Sequence, residues 1–123
     1  MLIEIRRIYD RTEDVIKPYR ILVDRIWPRG VSKKVAKLDF WFKEIAPSHE
    51  LRKWFNHDPK KFVDFCRKYH KELDKKSQLV NQIIQLAEER KILLLFSAKD
   101  REHNQAKALA LYLSKSMDRL NHP

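Results

Sequence analysis

A chain of 123 residues that is 43% hydrophobic is long enough to close one core, and too apolar to remain disordered. No apolar run approaches the roughly 20 residues that span a bilayer, and the charged N-terminal stretch is unlike a secretory signal. The lone Cys66 permits no internal disulfide, and the formal charge of +10 points either to an anionic partner or to a lysine-rich solvated surface.

Leu2 to Tyr9 alternates Ile3 and Ile5 with Glu4 and Arg6, the period of a half-exposed strand. Arg11 to Pro18 reads as a loop, with Thr12 and Asp14 as turn formers. Tyr19 to Trp27 is rich in strand formers and is stopped by Pro28 and Gly30. Leu38, Trp41, Phe42 and Ile45 recur at helical spacing until Pro47 interrupts. Ser48 then caps a short helix through Phe55, and Asp58-Pro59 starts another, with Phe62, Phe65, Cys66, Tyr69 and Leu73 along one face. Ser77 opens a further helix that turns Leu79, Val80, Ile83, Ile84 and Ala87 inward. Lys91 to Ser97 is a short continuous apolar run, the pattern of a strand covered on both faces. A last helix from about Asn104 to Leu120 buries Ala106, Leu109, Leu113 and Met117.

Without repeats or linkers, residues 1–123 are expected to form one α/β domain, a small mostly parallel sheet of about three strands flanked by about five helices. The long helical connection between the second and third strands predicts that these two are parallel. The first loop is too short for a helical crossover, so the first strand is expected to be antiparallel to the second, or to lie at an edge.

Ligands of open α/β sheets bind beyond the carboxyl ends of parallel strands, which directs attention to two loops. The second strand should bury Asp24 and Arg25 between helices on both faces, where unpaired charge is costly. Arg29 follows beside Gly30, the one glycine of the chain, which suggests a positive φ or a close approach by a ligand. The third strand ends in Ser97-Ala98-Lys99-Asp100, and His103-Asn104 lead into the last helix. Hydroxyl, lysine and helix amides together make an anion seat. One reading makes Asp24 and Ser97 catalytic and assigns Arg25, Arg29, Arg52, Lys99 and Asn104 to ligand binding. The other makes Asp24 the partner of Arg25, Arg29 or Arg7 in a structural salt bridge, and Asn104 a helix cap.

Trp41, Phe42, Trp54 and Phe55 offer a base-stacking surface or plain core, and Cys66 on its apolar face reads as filler. His49, His57, His70 and His122 lack metal-ligand spacing, and one glycine cannot build a phosphate loop, so neither metal nor cofactor is expected.

Arg6-Arg7-Ile8-Tyr9-Asp10, Tyr19 through Gly30 (YRILVDRIWPRG), Lys43 through Ser48 with Glu50-Leu51-Arg52, and Leu95 through Lys99 resemble the YeaO-like branch of a bacterial and archaeal domain-of-unknown-function family. The resemblance covers nearly the whole chain, and VDRIWPRG is its most specific stretch. Longer relatives, similar at a greater remove, carry a cysteine and a Cys-His-Arg cluster after the last strand. Here Ser97 and His103-Asn104 stand there, so the resemblance implies the place of a site and no thiol chemistry.

The resulting expectation is a cytoplasmic enzyme or ligand-binding protein for a phosphorylated or nucleotide-like anion. A basic module contacting nucleic acid without sequence preference, and a structural or protein-interaction domain, are the alternatives. Oligomeric state is not legible.

Overall fold

The computed structural model describes residues 2–10 and 14–121, so Arg11, Thr12 and Glu13 of the first loop, and His122, lie outside the described residues. Strands β1 (Ile3–Arg7), β2 (Tyr19–Leu22), β3 (Phe40–Trp41) and β4 (Ile92–Phe96) form one sheet in the order β1-β4-β2-β3. Every pairing is parallel, with Ile5 and Ile21 flanking Leu94 on the central strand. β1 therefore takes the edge position and is parallel, not antiparallel, to β2. The all-apolar β4 is buried along its whole length, as its sequence requires.

The sheet has four strands where three were expected, because β3 lies within the stretch read as a helix. The open edge of β2 decides this locally. Asp39 and Phe42 donate their amides to the Arg20 and Leu22 carbonyls at 2.9 and 3.1 Å, and the Asp39 carboxylate accepts from the Arg20 amide at 2.8 Å. Only a 3-10 turn, Lys43–Ile45, is left of the expected helix. β2 itself stops at Leu22 although strand formers continue to Trp27. The Val23 amide still reaches the Leu95 carbonyl at 3.1 Å, but β4 ends at Phe96 and offers nothing further to pair with.

Helices α1 (Lys33–Ala36), α2 (His49–Phe55), α3 (Phe62–Asp74), α4 (Ser77–Glu89) and α5 (Gln105–Asn121) complete the described fold. The Ser48 hydroxyl caps α2 by accepting from the Leu51 amide at 3.2 Å. Asp58 accepts from the Lys60 amide, and Pro59 begins a 3-10 turn from which α3 continues. Asn104 caps α5 by accepting from the Lys107 amide at 2.9 Å.

Helices do not cover the two faces equally. Ile3, Ile21, Val23, Ile92, Leu94 and Phe96 meet the buried sides of α2 to α5 in the main core. The opposite face, with Leu22, Leu93 and Leu95, is covered among the described residues by Ile8 just after β1, Ala36 of α1 and the loop residues Trp27, Val31 and Leu38. Tyr69 of α3 is fully buried and its hydroxyl donates to the Ile45 carbonyl at 2.6 Å, tying the main core to the turn after β3. Tyr69→Phe is expected to lose about 1.5 kcal/mol in urea denaturation, because the Ile45 carbonyl is left without that donor. A variant as stable as wild type would show that the carbonyl finds another partner.

Candidate functional site

The chain leaving β2 crosses the thin face of the sheet, whereas the chain leaving β4 enters α5 on the thick face. β2 and β4 are neighbours, so their carboxyl ends meet at a topological switch point, the place where open α/β sheets have their ligand crevice. Asp24 and Ser97 stand on its two sides. Asp24 is only 7% exposed, and its Oδ2 accepts from the Ser97 amide at 3.1 Å and from the Ser97 hydroxyl at 2.6 Å. Its Oδ1 accepts from the side-chain amide of Gln105, the first residue of α5. The Asp24 carbonyl in turn accepts from the Trp41 indole at 2.7 Å, which anchors the loop to β3.

Burial pushes the Asp24 carboxyl up from its ordinary value, against the Ser97 and Gln105 hydrogen bonds and the positive charge of Arg52, all of which favour the ionised form. Arg52 of α2 is near enough for its positive charge to act on Asp24, though it makes no hydrogen bond to Asp24 or Ser97. Its Nε is buried and has no hydrogen-bond partner among the described residues, and one terminal nitrogen stands 3.4 Å from His49 Nδ1. The crevice thus presents a cation, a hydroxyl and a carboxylate together. A short bond from a serine hydroxyl to a carboxylate with a raised pKa is also the contact that a nucleophile makes with a general base.

The other residues expected here are placed elsewhere. Arg25 turns away and donates to the Ala46 and Pro47 carbonyls at 3.2 and 3.4 Å. Arg29 is exposed, and what holds its segment is its backbone carbonyl, which accepts from the Tyr9 hydroxyl at 2.9 Å. Lys99 is exposed, and neither its side chain nor that of Arg29 hydrogen-bonds to Asp24 or Ser97. Asn104 is buried and used as a cap, its amide donating to the Asp100 carbonyl at 2.9 Å. The alternative in which Asp24 pairs with Arg25, Arg29 or Arg7 is corrected by the same geometry: Asp24 makes no ion pair with any of them, and its hydrogen bonds come from Ser97 and Gln105. Arg7 instead braces the loop after β4 through the Ala98 and Ser97 carbonyls at 2.9 and 3.2 Å. Gly30 adopts φ +77° with open space around it, so backbone conformation and not crowding selects glycine.

The aromatic residues divide between core and surface. Phe55 is buried, Phe42 and Trp54 are half-buried, and the Trp54 ring carries the Lys61 and Lys68 ammonium groups at 5.1 and 4.3 Å. Cys66 is half-buried, and its surroundings push the thiol up. Among the described residues no group of three or more His, Cys, Asp or Glu could hold a metal ion, and no helix is long and apolar enough to cross a membrane.

Arg25 meets a second cation at its new position. Lys76 donates to the Glu44 and Ala46 carbonyls at 2.7 and 3.1 Å, so the two charges share the Ala46 oxygen.

Fold and crevice together define a small parallel α/β protein with a polar cluster at the carboxyl edge of its sheet. The chain belongs to the family described as the inactive DUF488-N3 subclade, whose model matches residues 2–123. It is 42% identical over 113 residues to the uncharacterized protein YeaO of Escherichia coli K12, covering 92% of this chain and 97% of that one. It is 41% identical over 71 residues to the uncharacterized proteins Mb3100c of Mycobacterium bovis and Rv3073c of Mycobacterium tuberculosis, covering 58% of this chain and 59% of each. No solved structure gives a significant match.

Proposed function

We propose that the protein binds a phosphorylated, nucleotide-like anion in the crevice between β2 and β4 and does not turn it over. The observation that carries this reading is the convergence of Arg52, Ser97 and Asp24 at the switch point. Arg52 meets the anionic group. Asp24 Oδ1, engaged by one donor, keeps acceptor capacity for a hydroxyl or amino hydrogen of the same ligand. A ligand bearing both groups is what distinguishes a nucleotide from inorganic phosphate.

Two features favour binding over catalysis. The subclade is described as inactive. The Ser97 hydroxyl and amide and the Gln105 amide also clasp Asp24 into the fold, which suits a positioning carboxylate better than one that exchanges protons each cycle.

Adenosine monophosphate titrated into the ¹⁵N-labelled protein is expected to shift the Ser97 and Gln105 amide resonances saturably. Arg52→Ala should weaken that binding by about tenfold, the loss of one charge-assisted contact. Affinity should fall only shallowly with salt, because few charges engage a small ligand. No saturable shift at Ser97, or equal binding by Arg52→Ala, would reject the crevice as the ligand site. A steep salt dependence with a DNA duplex as the preferred ligand would favour nucleic-acid contact instead.

A further inference from the structure

Arg25, expelled from the crevice, joins Lys75 and Lys76 in the wall of a separate cavity of about 570 Å³ between the turn after β3 and the start of α4. Ser77 and Gln78 line the same space, and Glu44 is the carboxylate on its wall. None of the three cations has an ion-pair partner among the described residues. Both oxygens of the nearby Glu72 are taken by the amide and hydroxyl of Ser48, at 2.8 and 2.6 Å. The hydrogen bonds that Arg25 and Lys76 do make end on neutral carbonyls, and one of those carbonyls serves both. Arg25 Nε is buried and has no acceptor among the described residues.

This is an unusual place to concentrate positive charge. Desolvation lowers the pKa of the Lys76 ammonium, Arg25 pushes it in the same direction, and Glu72 and Glu44 oppose them. Three cations against the carboxylates of Glu44 and Glu72 leave a local excess of positive charge that is partly desolvated, and an anion entering the cavity offsets that cost. Cations contributed from two sides match a dianion better than a lone carboxylate, and a planar guanidinium beside flexible ammonium groups suits phosphoryl oxygens.

We propose that this cavity is a second anion site, distinct from the crevice, which takes the dianionic phosphoryl group of a small molecule between Arg25, Lys75 and Lys76. It shares no residue with Asp24, Ser97, Gln105 and Arg52, so this reading and the crevice reading stand or fall separately. A small ligand is chosen over a nucleic-acid strand because Glu44 and Glu72 interrupt the basic surface on this side, where a backbone track would need continuous positive charge.

The full chain, ¹⁵N-labelled, is titrated at neutral pH and low salt with inorganic phosphate and, separately, with adenosine monophosphate. Saturable shifts of the amides of residues 76–79 are expected with both. Tighter binding of the monoester would identify an organic phosphate as the occupant. Equal or tighter binding of inorganic phosphate would identify the free ion. Lys75 is exposed, and its side chain makes no hydrogen bond or ion pair among the described residues, so Lys75→Glu tests the site without threatening the fold. That variant should bind about tenfold more weakly, while adenosine monophosphate still shifts Ser97 and Gln105. Unchanged affinity in Lys75→Glu, or no saturable shift at residues 76–79 in wild type, would overturn the proposal. So would a short DNA duplex that displaces both ligands at physiological salt.

Discussion

Replacing Asp24 by alanine is expected to destabilise the protein by about 3 kcal/mol, since a buried donor left without its acceptor costs roughly 1–3 kcal/mol. The Ser97 amide has no freedom to turn elsewhere, and the Gln105 side chain loses its acceptor with it. Arg52 also loses the carboxylate that balances its charge. Asp24→Asn, which keeps one carbonyl oxygen in place, should cost less. Its comparison with wild type also carries a pH signature. The folded-state pKa of Asp24 is raised, so the folded chain takes up this proton more readily than the unfolded chain. Its stabilising contribution is then full below the unfolded aspartate value of about 3.9 and is lost as pH rises through the folded value. Wild type should therefore gain on Asp24→Asn as the pH is lowered from neutrality towards that value. Glu4, Asp10, Asp14 and Asp100 have lowered pKa values and work in the opposite sense, but they are common to both proteins and cancel in the difference. Urea denaturation of the three proteins at neutral and mildly acidic pH makes the measurement. An alanine variant within experimental error of wild type would show that the clasp contributes nothing. A gap that moves towards the asparagine variant on acidification would show that Asp24 is not held by burial.

The second large effect follows from the unequal faces of the sheet. Leu94→Ala is expected to cost about 4 kcal/mol and Leu95→Ala about 2 kcal/mol, although both leucines are fully buried neighbours on β4. Leu94 faces the side packed by α2 to α5, where rigid helices prevent collapse around a cavity. Leu95 faces Ala36 and loop residues, which can settle into the space. Equal losses, or the reverse order, would mean that the thin face is as rigid as the thick one.

The parts of the fold that are legible in the sequence are those whose signal is local. The unbroken apolar run of β4 and the caps Ser48, Asp58 and Asn104 specify their elements without help from distant residues. β3 is illegible because two residues have no period of their own, and its identity comes from the free edge of β2. The positions of Asp24 and Ser97 at neighbouring strand ends follow from parallel pairing, which the long connection foretells. Gln105 carries no such mark, since an amide in the first turn of a helix has many ordinary uses. The fate of Arg25 is equally hidden. Alternation places it on the thick face, but the carbonyls that capture it belong to a turn that the helical periodicity of residues 38–45 conceals.

The borders of the sheet bear on how the molecule behaves when crowded among its own copies. A two-residue β3 offers an incoming strand almost no backbone to pair with on one side. On the other, Arg6 of β1 is bound to Glu4 at 2.7 Å and to Asp14 at 3.1 Å, and Lys91 closes on Glu4 at 2.5 Å. A chain adding to β1 would have to lie against this charged lattice, and charged groups on a border strand discourage such templating. The same excess of positive charge sets whole molecules against one another. Both borders of the sheet thus disfavour its growth from one molecule to the next, which shields a short, strongly apolar central strand from templating its own copies.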